Sequence, residues 1–193
     1  MKYRSILLFG APGVGKGTQG KILGAIPHFF HCACGDVFRN LRADSPLGRV
    51  FIEYSGRGQL VPDEPTIELW RHFIENNTKV GRFHPATDTL VLDGIPRNVG
   101  QAKILKNTLN VTSVFYMKSS DEDKLVVRIQ RRAIKENRLD DANLNVIRDR
   151  LHVYENETMP VLKFYGRHLV HRINADQPPA KVLADILRHA TKK

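Results

Sequence analysis

The stretch Gly10-Ala11-Pro12-Gly13-Val14-Gly15-Lys16-Gly17-Thr18 follows directly on the apolar residues Ile6-Leu7-Leu8-Phe9. Residues of these types at this spacing can bind a polyphosphate. Glycines at 10, 13 and 15 let backbone N–H groups turn inward, Lys16 adds a point charge, and the following helix aims its positive end at the same spot. A plain strand-to-helix turn would need neither the lysine nor this spacing. In the general pattern a Ser or Thr follows the lysine and its hydroxyl meets magnesium. Here Gly17 follows, and the first hydroxyl is that of Thr18. That departure marks a subgroup of loop-bearing proteins.

A second constellation is Asp93-Gly94-Ile95-Pro96-Arg97, which closes the apolar run Leu90-Val91-Leu92. Ligands of open α/β sheets lie at the carboxyl ends of the strands, so Asp93 and Arg97 should face the glycine loop. Asp93 can hold the waters of a bound magnesium ion; a helix cap is its structural alternative. Gln101, one turn past Arg97, carries an amide that both donates and accepts, as base recognition needs. Further on lies a basic tract, Arg128, Arg131, Arg132, Lys135 and Arg138, closed by Asp140-Asp141. Such a run is usually a solvated helix face, but residues 133–137 break the helical period. The two aspartates also give the arginines built-in counter-charges when no ligand is bound.

These residues suit phosphoryl transfer, which depends on positioning and charge neutralisation. No histidine or carboxylate stands out as a general base, which an alcohol acceptor would require. A monophosphate acceptor is already anionic and needs none, provided arginines screen the two phosphates from each other. Water must be kept from the transferring group, and the segments 35–64 and 132–141 are the natural mobile covers.

The elements that position these residues follow from the apolar pattern. Runs recur at 6–9, 29–33, 90–92, 114–117 and 169–173 with helix-like stretches between them, the signature of a parallel sheet with helices on both faces. At 193 residues and 41% hydrophobic, the chain fits one domain with a sizeable core. Ser45-Pro46 and Pro62-Asp63-Glu64-Pro65 open helices around a small helical insertion. Arg39 lies on the exposed side of a turn that begins at Gly35-Asp36, while Trp70 and Phe73 read as core. Residues 144–165 read as one long helix, with Leu144, Ile147, Leu151 and Tyr154 on one face and a kink at Pro160. The two cysteines, Cys32 and Cys34, are too few for a zinc ribbon and read as buried thiols. No window resembles a membrane span, and the expected location is the cytoplasm. The net charge of +10 suits either an enzyme holding two nucleotides or a nucleotide-dependent RNA-binding factor. Lys103, Lys106, Lys192 and Lys193, outside the motifs, favour the latter; the arginines within the motifs favour the enzyme.

With these residues in hand, the chain resembles the adenylate kinases, within the wider nucleoside monophosphate kinase family. The resemblance runs through residues 10–19, Gly35-Asp36-Val37-Phe38-Arg39, Gly58-Gln59-Leu60-Val61-Pro62-Asp63-Glu64, Asp93-Gly94-Ile95-Pro96-Arg97, Gln101, Arg138-Leu139-Asp140-Asp141 and Arg150-Leu151. It implies an α/β P-loop fold of three layers with a five-stranded parallel sheet. A core of 1–34, 65–131 and 142–193 would carry a monophosphate-binding insertion at 35–64 and a short lid at 132–141 without structural zinc. Adenylate kinases are themselves lid-closing enzymes, so closure here follows the family and adds no independent weight.

The resemblance also implies roles: Gly13, Val14, Gly15, Lys16, Gly17, Thr18, Arg128 and Gln177 for ATP, and Cys34, Arg39, Gln59, Val61, Gly94, Arg97, Gln101, Arg138 and Arg150 for AMP. Lys16, Arg97, Arg132, Arg138 and Arg150 would be catalytic, and magnesium would be held through water near Asp93. The implied activity is reversible transfer from ATP to AMP giving two ADP, by a monomer. Two departures point toward UMP or CMP as the alternative acceptor. Ala33-Cys34 stands where adenylate kinases usually carry Ser-Thr, and Asn98 follows the proline-arginine pair as in pyrimidine monophosphate kinases. Ile95, in place of an aromatic residue, alters packing only.

Overall fold

The computed structural model describes residues 2–138, 141 and 143–190. Five parallel strands, β1 (Tyr3–Phe9), β2 (Phe29–Ala33), β3 (Thr89–Asp93), β4 (Leu109–Lys118) and β5 (Val170–Asn174), form one sheet in the order β2-β3-β1-β4-β5. Strands covered on both faces must be apolar at every position rather than alternately. Accordingly, Ile6, Leu7, Leu8 and Phe9 are all buried, as are Leu90, Val91 and Leu92.

Alternate residues feed two cores. Leu7, Phe9, Leu90, Leu92 and Val114 pack on one face of the sheet. They meet α4 (Asp63–Lys79) through Ile67, Trp70 and Ile74, α5 (Val99–Leu105) through Ala102 and Leu105, and α8 (Pro160–Tyr165) through Val161. On the other face Ile6, Leu8, Val91, Phe115 and Met117 meet Leu23 of α1 (Lys16–Leu23), Leu125 and Ile129 of α6 (Glu122–Glu136), Ile147 and Leu151 of α7 (Leu144–Val153), and Val182 and Ile186 of α9 (Pro179–Ala190). Trp70 is core as expected, and Phe73 packs against that core. Cys32 and Cys34 are free, buried thiols in one cluster, Cys34 opening α2 (Cys34–Arg39). The segment between β2 and α4 carries α2 and α3 (Pro46–Gly56), the latter capped by Ser45, whose hydroxyl accepts from the Gly48 N–H at 3.1 Å.

Register sets the site. Ala33 and Leu8 both pair with Asp93, and Phe9 pairs with Tyr116, so β1, β2, β3 and β4 end along one edge of the sheet. From β1 the chain crosses to β2 on one side and later to β4 on the other, and the crevice where the order reverses is the ligand position of such sheets.

Two helices differ from expectation. Residues 144–165 are not one helix. After α7, Tyr154–Thr158 form a π turn, closed by the Met159 N–H to the Tyr154 carbonyl at 2.9 Å, and α8 then starts at Pro160. Proline has no N–H to give and its ring crowds the carbonyl four residues back, and a wide turn accommodates both. Residues 133–137 also do not break the helix: α6 runs unbroken to Glu136 and ends at left-handed Asn137, with the Arg138 N–H closing on the Ala133 carbonyl at 3.0 Å. The apolar period fails because Ile134 faces solvent at 87% exposure.

Candidate active site

The glycine loop leaves β1 and enters α1 at Gly15, whose φ of 105° lies in the left-handed region that favours glycine. At Gly13, with φ 79°, a Cβ would also come within 2.8 Å of the Leu125 carbonyl and 2.9 Å of Ile129, so α6 packs directly on the loop. Lys16 folds back over the loop, and its Nζ donates to the carbonyls of Gly10 (2.7 Å) and Ala11 (3.1 Å). Burial pushes its pKa down to about 8, against the pull of Asp93 and with further lowering from Arg97, Arg132 and Arg150. Asp93 ends β3 beside this loop; a methyl group at Gly17 would touch its Oδ2 at 3.6 Å. Of the described residues that line the cavity beside the loop, Asp93 offers a carboxylate and Thr18 a hydroxyl, groups that suit magnesium, which keeps most of its waters.

The arginines come from different elements. Arg97 donates from Nε to the Gly94 carbonyl at 2.9 Å, in a turn where Gly94 has φ 78° and the Ile95-Pro96 bond is cis. Arg132 of α6 makes two bonds to Asp141 Oδ2, at 3.0 and 2.6 Å, while Arg150 of α7 grips the other oxygen. Asp141 is fully buried between them. It supplies the expected counter-charge; Leu139 and Asp140, in the same motif, lie outside the described residues, as do Lys192 and Lys193.

Arg138 pairs with Glu136 and reaches Asp36 at 3.3 Å, and Asp36 also accepts from Arg39 at 2.7 Å. Burial pushes the Asp36 carboxyl up, but the hydrogen bond and charge of Arg39, with Arg138 and Lys21, bring it below its usual range. Arg39 is therefore half-buried in ion pairing rather than on an exposed face.

Gln101 is almost wholly buried, and its amide is held at both ends. Its Oε1 accepts from the Arg97 N–H at 2.7 Å, and its Nε2 donates to Asp63 Oδ1 at 2.9 Å. Asn98 caps α5 by accepting from the Gln101 N–H at 2.8 Å and donates to the same Asp63 oxygen at 2.8 Å. Arg128 lies on α6, and Gln177 donates to Asp185 at 2.6 Å.

A single cavity of about 590 Å³ joins these groups. Lining it are the loop residues Gly13, Val14, Gly15, Lys16, Gly17 and Thr18, together with Arg128 and Gln177, and also Cys34, Arg39, Gln59, Val61, Asp93, Gly94, Arg97, Gln101, Arg132, Arg138 and Arg150. Every residue expected in the site thus borders one space.

The adenylate kinase family model matches residues 8–170. The chain belongs to the adenylate kinase family. It is 35% identical to an adenylate kinase of Parabacteroides distasonis over 173 residues, covering 86% of this chain and 87% of that one. An adenylate kinase of a Cyanothece species is 37% identical, over 94% of this chain and 92% of its own, and one of Thermobifida fusca is 36% identical, over 92% and 93%. The chain is a nucleoside monophosphate kinase with the five-stranded P-loop α/β fold.

Of the departures from the family pattern, Cys34 lines the cavity and Asn98 does not. Burial pushes the Cys34 thiol up to about 11. It therefore borders the cavity as a neutral, weak hydrogen-bonding group. Ile95 is buried, consistent with a packing change. Sequence reasoning missed several members of the cavity wall. Asp36, read only as part of a motif, neutralises Arg39 and Arg138; its spacing three before Arg39 was the available signal. Phe51 stacks on Phe38 at 5.2 Å, and Tyr154 and Thr158 enter from the π turn; none carried a local signal.

Proposed function

We propose that the protein catalyses reversible, magnesium-dependent transfer of the γ-phosphoryl group of ATP to AMP, giving two ADP. The observation that carries this reading is the one cavity in which a lysine-bearing phosphate loop faces arginines from four other segments, at 39, 97, 132–138 and 150. The loop N–H groups and Lys16 hold the donor phosphates, with Arg128 and Gln177 toward its base. Arg39 and Arg97 hold the acceptor phosphate, and Gly94, Gln59, Val61, Cys34 and Gln101 surround its base. An oxygen of the acceptor phosphate attacks the γ-phosphorus in line as the bond to the β–γ bridging oxygen breaks, and the electron pair leaves on ADP. Arg132, Arg138 and Arg150 meet the charge that spreads over the transferring group. Magnesium bound with ATP would neutralise phosphate charge, held through water by Asp93 with Thr18 nearby.

The insertion 35–64 and the lid 132–141 close over both substrates and exclude water; Asp36 and Arg138, one on each segment, already meet. The residues assigned to both substrates line one cavity of a single chain, so a monomer suffices for the reaction. A second reading, UMP or CMP as acceptor, is favoured by Cys34 at the cavity wall in place of a hydroxyl. Coupled assay of ATP consumption with AMP, UMP, CMP and GMP tests both. AMP should be turned over most efficiently; a clear advantage for UMP or CMP overturns the first reading.

A further inference from the structure

We propose that Asp63 is the residue that positions Gln101 for base recognition. This rests on the reading of Gln101 as a base-facing group. Asp63 is the first residue of α4 and lies behind the cavity wall rather than on it. One of its oxygens receives two side-chain amides, Gln101 Nε2 at 2.9 Å and Asn98 Nδ2 at 2.8 Å. An ionised carboxylate only accepts hydrogen bonds, so each amide can meet it only through its NH₂ group. The far ends agree: the Gln101 oxygen takes the Arg97 N–H, and the Asn98 oxygen takes the Gln101 N–H. Turning the Gln101 amide over would set its oxygen against the carboxylate and its NH₂ against a peptide N–H, losing two bonds and adding two repulsions. The carboxylate therefore fixes which end of the amide is where.

After these bonds the Gln101 amide keeps one N–H and one lone pair. A donor beside an acceptor, in fixed order, is what discriminates between base edges. An amide free to turn over would present both orders. The fit of the carboxylate has its own provision in α5: a Cβ at Gly100 would come within 2.8 Å of Asp63 Oδ2 and 3.1 Å of Asn98 Oδ1. The bare backbone at 100 is the space that the carboxylate fills. Asp63 also follows Val61 of the cavity wall by two residues, so one wall of the base pocket and the orientation of its reader are set from the same point of the chain.

The test is steady-state kinetics with whichever monophosphate the parent enzyme uses best, so that an altered choice of acceptor would correct the proposed substrate without deciding the role of Asp63. Asp63→Ala should raise KM for the monophosphate about tenfold, the weight of one aligned hydrogen bond, and leave kcat and KM for ATP within about twofold. Asp63→Asn keeps an oxygen for both amides and should stay within about threefold of the parent. In a Gln101→Ala background, Asp63→Ala should change nothing further. Should Asp63→Ala not fold, Gly100→Ala displaces the carboxylate while favouring the helix, and the same rise in monophosphate KM is expected. The proposal is overturned by an unchanged monophosphate KM in these variants, by equal losses for both substrates, by Asp63→Asn matching Asp63→Ala, or by an effect that persists without Gln101.

Discussion

Lys16 is a side chain whose chemistry the fold alters directly at the phosphate loop. With its pKa brought down to about 8 by burial, the unliganded site loses a positive charge just above neutral pH. A polyphosphate favours the charged form, so ATP binding should weaken as pH rises from about 7 to about 9.5 and should be accompanied by proton uptake at the alkaline end. Calorimetry in buffers of different ionisation enthalpy reads both, and an affinity independent of pH would exclude this role. Stability runs the other way. Between about 8 and the ordinary 10.5 the native state holds fewer protons on Lys16 than the unfolded chain, so its contribution to stability rises with pH over that window. Arg97→Ala should lower kcat by about two orders of magnitude, the cost of losing one charge-stabilising donor. Near-normal turnover would sink the assigned role.

At the scale of elements, α6 and α7 are joined by Asp141, fully buried between Arg132 and Arg150. Asp141→Ala leaves two guanidinium groups facing each other, and the variant should be less stable by up to about 3 kcal/mol, since the arginines keep some water. Inorganic phosphate should restore much of the lost melting temperature by occupying the same arginines; no differential effect of phosphate on parent and variant would refute this. The strands were legible in the sequence because burial on both faces leaves unbroken apolar runs. The limits of the helices were less so. Tyr154 continues the apolar spacing of Ile147 and Leu151, yet a spacing does not record whether a carbonyl bonds four or five residues ahead. Ile134 broke the apolar pattern of α6 without ending the helix. Within the site the glycine loop was legible because its signal is contiguous. The pairs Asp36 with Arg138 and Asp63 with Gln101 were not, being 102 and 38 residues apart and visible only once the sheet has brought their elements together.

For the whole molecule, the net charge of +10 has its functional weight in the cleft, where Arg39, Arg97, Arg128, Arg131, Arg132, Arg138 and Arg150 border one cavity. Such a field draws anionic substrates in and is screened by salt. KM for both nucleotides should rise several-fold between about 0.05 and about 0.3 M salt with little change in kcat. Tight, steeply salt-dependent RNA binding without monophosphate-dependent ATP consumption would instead favour the RNA-binding alternative. Among the described residues no helix is long and apolar enough to cross a membrane.

The π turn at Tyr154–Thr158 also matters at this scale, because α7 before it buries Ile147 and Leu151 on one face of the sheet and α8 after it buries Val161 on the other. The wide turn is thus a phase shifter between two layers. Adding one residue beside Glu155 would overfill this turn and rotate everything beyond it by about 100°, whereas removing one would only return it to an ordinary helical turn. Val161 would swing out of its core while Arg150, upstream, stayed in place. Added length at this turn is therefore under tighter constraint than the identity of its exposed residues: a Glu155→Ala protein should melt near the parent temperature, and the single insertion far below it.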